Sequence, residues 1–157
     1  MKKTGRIIFL LLIALTFMQA GASLFAITVN ISSLIEAPPA SLTNAQGPYA
    51  FNPDIFWEKF PPLVFLTLLL ALILNWKTYL RKWIISGGVI WVLSGFVAIV
   101  LLGPVQTEFL STDYSDTVNP NLRKLGELWR NYSLLFMALS ALSGIVYLLG
   151  ISRLADR

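Results

Sequence analysis

The chain contains neither cysteine nor histidine. Without cysteine it can form no disulfide and offers no thiolate to a metal. Without histidine it lacks the commonest general base and the commonest metal ligand. Charge is scarce as well: 13% of the 157 residues are charged, about half the share of a typical soluble domain. No phosphate-binding glycine loop, nucleophile elbow or dinucleotide fingerprint is present. Neither a cofactor nor a metal is expected, and no catalytic residue is assigned. The net charge of +4 does not point to nucleic acid, because the basic residues flank apolar runs instead of forming a patch.

Long uncharged runs are abundant. They cover residues 7–35, 60–76, 83–107 and 131–152. A hydrocarbon core about 30 Å thick needs about 20 apolar residues to cross as a helix. Inside lipid the backbone must satisfy its own hydrogen bonds, which makes the helix the form available. The expected fold is all-α: one integral membrane domain over residues 1–157, an antiparallel four-helix bundle with spans at about 7–35, 60–76, 83–104 and 131–152. The lipid bilayer is its first partner.

Charge sets the threading. Lys2, Lys3, Arg6, Lys77, Arg81, Lys82, Arg153 and Arg157 fall on one side with the single acid Asp156. Lys59, Arg123, Lys124 and Arg130 fall on the other with Glu36, Asp54, Glu58, Glu108, Asp113, Asp116 and Glu127. Basic residues gather on the cytoplasmic side, so both termini are expected inside a cell (inner) membrane and the two longer connections outside. Trp57, Trp76, Trp83 and Trp129 lie near span ends, where interfacial anchors are expected. Lys2-Lys3, the apolar stretch 7–17 and Ala20-Gly21-Ala22 have the pattern of a secretory signal. The apolar run continues to Ile35, longer than a signal needs, so it is read as a retained first span.

The connections carry helix signals. Asn52-Pro53-Asp54 and Asn119-Pro120-Asn121 each place an N-cap before a proline suited to a first turn. Pro61-Pro62 is expected to kink or restart the second helix, and Gly103-Pro104 to end the third span. In the second outer segment, Leu122, Leu125, Leu128, Trp129 and Tyr132 share one face of a short amphipathic helix that runs into span 4. Arg123 and Glu127 are spaced to pair.

Polar residues inside the spans fall in stripes. From Gln19, the positions Ser23, Ala26, Asn30 and Ser33 follow at helical spacing on one face. Ser133, Ser140, Gly144 and Tyr147 do the same in span 4, and Gly87, Trp91, Ser94 and Ala98 in span 3. Such faces point at protein, not lipid. The favoured reading is packing seams, with interhelical hydrogen bonds worth about 0.6 kcal/mol each. The alternative is a cavity lined by Gln19, Asn30 and Tyr147; their different depths count against it. No ionisable residue lies deep in a span, which weakens pump and transporter readings. At the outer face Glu58, Glu108, Asp113 and Asp116 gather with Arg130. They are read as solvated loop charges, with acid–base work or a hard cation as the sharper option.

The layout resembles the anthrone-oxygenase-like family of small four-helix membrane proteins. The resemblance is carried by Gln19-Ala20-Gly21 with Asn30 farther along span 1, by Pro104 with Gln106 two residues on, and by Trp129-Arg130-Asn131 before the small residues that lead to Gly144. Family members often carry His or Asn after the span-3 proline and Arg shortly after the span-4 Trp; here Gln106 and Arg130 stand there. The leading expectation is a bundle that packs against another membrane protein or holds an apolar small molecule. The resemblance implies the alternative, a cofactor-independent oxygenase of an aromatic or quinone-like substrate, with Gln106, Glu108, Trp129, Arg130 and Asn131 around an opening at the outer leaflet. The candidate set is therefore Gln19, Asn30, Gln106, Glu108, Trp129, Arg130 and Asn131.

Overall fold

The computed structural model describes residues 3–46, 50 and 54–155. Four long helices run antiparallel: α1 (Lys3–Leu34), α2 (Asp54–Leu74), α3 (Leu80–Leu110) and α4 (Pro120–Ala155). A short 3₁₀ turn (Ala40–Asn44) lies between α1 and α2. All four helices are long and apolar enough to cross a membrane. Their outward faces carry Leu, Ile, Val and Phe, Ile73 and Ile99 being 68% and 78% exposed. Lipid can cover such a surface and water cannot do so cheaply. The chain is an all-α, multi-pass helical bundle of membrane type.

Two separate cores hold it together. At the end that carries the chain termini, Phe9, Leu12, Leu68, Ile84 and Tyr147 pack from all four helices. At the opposite end, Ile31, Leu34, Leu42, Phe109, Leu122 and Trp129 pack from α1, the 3₁₀ turn, α3 and α4, without α2. Helix length explains the division. At 1.5 Å per residue the 21 residues of α2 reach about 32 Å, close to the hydrocarbon thickness, whereas the 36 of α4 reach about 54 Å. The second core is thus built by the helices that outrun α2.

Glycines set the close contacts of the first core. A Cβ on Gly87 would lie 2.3 Å from Tyr147 Cε1, and one on Gly150 would lie 2.7 Å from Trp83 Cβ, so α3 and α4 meet through these positions. Gly144 seats Phe17 of α1 in the same way. Ser143 Oγ donates to Gly87 O at 2.8 Å, and Asn75 Nδ2 to Gly5 O at 3.0 Å. The α3 and α4 stripes therefore meet at their terminal-end positions as packing seams.

Some helix signals are expressed as read. Asn119 Oδ1 accepts from the backbone N–H groups of Asn121 and Leu122 at 2.9 and 3.3 Å, and Pro120 opens α4. Arg123 and Glu127 approach to 3.9 Å, but both are about half exposed and the pair contributes little. Asn52 and Pro53 lie outside the described residues. Other expectations are corrected. Pro61-Pro62 does not restart α2, which runs unbroken from Asp54 to Leu74. Pro104 does not end α3. A π-helical stretch (Val97–Leu102) precedes it, so Pro104 enters as the second residue of a renewed α-helical segment, Gly103–Leu110, where its missing N–H is tolerated. Leu128 is exposed, because the buried face of α4 instead follows Leu122, Gly126, Trp129 and Ser133. Trp129 is 7% exposed and packs its ring 5.5 Å from Phe109; it is a core residue, not a lipid-facing anchor.

Gly87→Ala is expected to destabilise the bundle. Overpacking against Tyr147 costs about 1–3 kcal/mol, which outweighs a helix-propensity gain of about 0.5–1 kcal/mol. Gly21→Ala, where a Cβ meets nothing within 4 Å, should cost nothing. Reversible unfolding in mixed micelles compares the two; equal stabilities would refute the Gly87–Tyr147 contact.

Candidate functional site

Between the two cores the bundle is hollow. A cavity of about 1030 Å³ lies among α1, α2, α3 and α4. The entire α1 stripe faces it: Gln19, Ser23, Ala26, Asn30 and Ser33 all line the space. The stripe combines both readings, because Gln19 also makes the interhelical hydrogen bond to Trp91 that a packing seam implies. Gln19 and Asn30 share one cavity despite their different depths, because the space is elongated along α1. Tyr147 is not part of it; its ring is fully buried beside Gly87 and Phe9. The upper part of the α3 stripe lines the opposite wall through Trp91, Ser94, Gly95 and Ala98.

The closed end is polar. Trp91 Nε1 donates to Gln19 Oε1 at 3.1 Å, and Gln19 is 1% exposed. An indole nitrogen can only donate, so the amide is fixed with its oxygen toward Trp91. No described residue accepts a hydrogen bond from Gln19 Nε2, which remains the free donor. Ser23 donates to the carbonyl four residues back, Gln19 O, at 2.9 Å, and Ser94 to Trp91 O at 2.6 Å; about two turns farther out on α4, Ser133 donates to Trp129 O at 2.9 Å. Each hydroxyl hydrogen is used within its own helix; the Ser94 oxygen faces Ser140 Oγ of α4 at 3.5 Å, and the Ser23 and Ser133 oxygens remain acceptors.

The middle of the cavity is apolar, with Ala26, Ile31, Leu102 and Phe136 among its lining residues. Trp57 of α2 meets Phe136 of α4 edge to face at 5.9 Å. The Trp129 indole, nine-tenths buried, also lines the wall, and its Nε1 has no hydrogen-bond partner among the described residues. π-helical stretches occur in both walls, at Ala26–Ile31 in α1 and at Val97–Leu102 in α3. A π turn displaces the register of the turns beyond it, and such turns recur at functional sites. In α1 the offset is visible in Ser32, whose Oγ donates to Ile27 O, five residues back, at 2.8 Å.

The candidate residues divide. Gln19, Asn30, Gln106 and Trp129 line the cavity; Glu108, Arg130 and Asn131 do not. Asn30 and Gln106 are half-buried, and their side-chain amides bond to no described residue. Glu108 and Asn131 are exposed and Arg130 is half-buried on the same end of the bundle. Among the described residues of the lining Glu58 is the acidic or basic side chain, and it is exposed at the rim. Tyr114 donates to Asp116 Oδ1 at 2.5 Å, and this bond holds the phenol above its ordinary pKa; both groups lie outside the cavity. Among the described residues no three carboxylates group as metal ligands. The sequence reading missed Gly95, Phe136 and Trp57 as wall residues. Gly95 carried a signal, since it borders the α3 stripe.

Comparison with family models, with curated proteins and with solved structures finds no match. The resemblance to the anthrone-oxygenase-like family therefore stands on its short motifs alone. Of the residues on which the oxygenase reading drew, Gln106 and Trp129 reach the cavity, without the acid and the base that flank them in sequence.

Gln19→Leu removes the partner of a buried indole N–H. An unsatisfied buried donor costs about 1–3 kcal/mol, and membrane interhelical hydrogen bonds average about 0.6 kcal/mol. A loss near 1 kcal/mol is expected in reversible unfolding, with a blue shift of Trp91 emission as its hydrogen bond disappears. Unchanged emission in a variant that keeps Trp91 as its one tryptophan would contradict the bond.

Proposed function

We propose that the protein holds an apolar small molecule inside the bundle. The observation that carries this reading is the convergence of the α1 stripe on a partly open cavity of about 1030 Å³ between the two cores. Its size lies at the upper end of ligand pockets, about 300–1,000 Å³, and its apolar wall with a few placed polar groups has their character.

The bundle sits in the cell membrane with both termini in the cytoplasm. Lys3, Arg6, Lys77, Arg81, Lys82 and Arg153 support this, since all lie at the terminal end. The cavity then belongs to the outer half of the membrane. Trp91, one wall of its closed end, stacks near Phe65, about midway along α2.

Native mass spectrometry of the protein purified in mild detergent tests the reading. A bound small molecule is expected on the wild type and lost in Gly95→Phe, because Gly95 opens on empty space and a ring there fills the cavity without displacing a neighbour. A wild type as free of adducts as Gly95→Phe would refute it. Tags at either terminus should be shielded in intact cells; a tag reached from outside would reverse the orientation.

A further inference from the structure

We infer that the bound molecule is an uncharged amphiphile taken sideways from the bilayer, its hydrogen-bonding head at Gln19 and its aliphatic chain leaving between α2 and α3. This rests on the cavity reading and narrows it to a class of ligand.

The route follows from where the cavity is open. Its far end is roofed: Ala45 and Leu110 line the space, and Gln46 Nε2 donates to Leu110 O at 3.1 Å and to Thr112 O at 2.9 Å. A backbone bond from Asn119 N to Pro38 O, 2.9 Å, ties the roof to the start of α4. The side is different. Deeper in the membrane α2 and α3 touch, with Leu68 against Gly88 and Phe65 beside Trp91. One to two turns farther out they separate. Pro62 of α2 and Ile99 of α3 line the cavity and are also exposed, Ile99 at 78%. A Cβ on Gly95, one turn from Ile99, would meet nothing within 4 Å. A residue that faces both a cavity and the membrane marks a window, and what lies beyond this window is lipid.

The chemistry follows from the lining. Among the described residues that line the cavity there is no Lys and no Arg, and the carboxylate is Glu58 at the rim. A phosphate head would have no counterion inside and would face that carboxylate; an unpaired anion is not buried at such a site. A neutral head is matched. Gln19 Nε2 donates to a carbonyl or hydroxyl oxygen, and the Ser23 oxygen accepts from a hydroxyl. At the rim, Pro61 and Pro62 have no N–H to give to the carbonyls of Trp57 and Glu58, so two more acceptors stand beside the chain's exit. The wall between head and window is aliphatic and aromatic, which suits a hydrocarbon chain.

The test uses the full-length purified protein with two probes of equal chain type, 1-monooleoylglycerol and dioleoylphosphatidylglycerol, titrated in mild detergent and read by native mass spectrometry. The wild type should take up one monooleoylglycerol at least tenfold more readily than the phospholipid. Gly95→Leu and Gln19→Leu should each weaken monooleoylglycerol binding at least tenfold, while Gly21→Leu, on an exposed face, leaves it unchanged and controls for folding. Equal uptake of the phospholipid, or undiminished uptake by Gly95→Leu, would overturn the inference. A compact non-lipid molecule retained by the wild type and lost in Gly95→Phe, with no uptake of monooleoylglycerol, would overturn it and leave the cavity reading standing. A wild type bare of every adduct would end both. The window has its own readout, because the chain has no cysteine. Ile99→Cys in vesicles should react with a lipid-partitioning maleimide and be protected by monooleoylglycerol; equal reaction with a charged, impermeant maleimide would mean that the opening faces water.

Discussion

The close approach of α3 and α4 at Gly87 and Gly150 governs the shape of the molecule. It draws the terminal half of the bundle to backbone-near contact, with Tyr147 and Trp83 filling the places a side chain would take. In lipid no hydrophobic force drives helices together, so such contact rests on van der Waals packing and a few interhelical hydrogen bonds. Ser143 to Gly87 and Asn75 to Gly5 supply two of these. Once one half is packed this tightly, the helices cannot all remain in contact along their length. α2 is short and leaves the bundle's second core to the others. The hollow lies between the two cores, where α2 borders it through Trp57, Glu58, Pro61 and Pro62.

Glycine thus plays two opposite parts along one helix. Gly87 of α3 admits a ring from α4; Gly95, two turns farther along, admits nothing. Both are small residues on or beside the same polar stripe. The neighbour makes the difference, and a neighbour is a property of the whole bundle. The Gln19–Trp91 hydrogen bond lies near the division, tying α1 to α3 at the closed end of the cavity.

This is also why the sequence could be read so far and no farther. Run length and charge placed four helices, because a bilayer imposes both from outside the protein. Asn119 and Pro120 announced α4 through local capping chemistry, which needs no distant partner. The α1 stripe was equally visible, and its face was rightly turned from lipid. Periodicity shows that Gln19, Ser23 and Asn30 share a side; it cannot show whether that side meets a helix or a space. Pro104 misled for a related reason. Its cost depends on the turn before it, and the π-helical stretch Val97–Leu102 that accommodates it has no sequence mark of its own. Trp129 looked like an interfacial anchor because it stands near a span end. The roof segment that buries it with Phe109 comes from far away in the chain.

The two π-helical stretches complete the logic of the hollow. Each lies in a wall of the cavity, one in α1 and one in α3. A regular α-helix repeats every 3.6 residues, and its inward face drifts slowly around a straight axis. One extra residue per turn resets that drift. Within and just beyond the π turn of α1, Asn30 and Ser33 line the space, while Ile27, Ile31, Leu34 and Ile35 join the core of the roof. Beyond the π turn of α3, Gln106 is directed to the cavity and Phe109 to the same core. The register change lets each helix serve the packed half with one face and the open half with another, so neither half is built at the expense of the other.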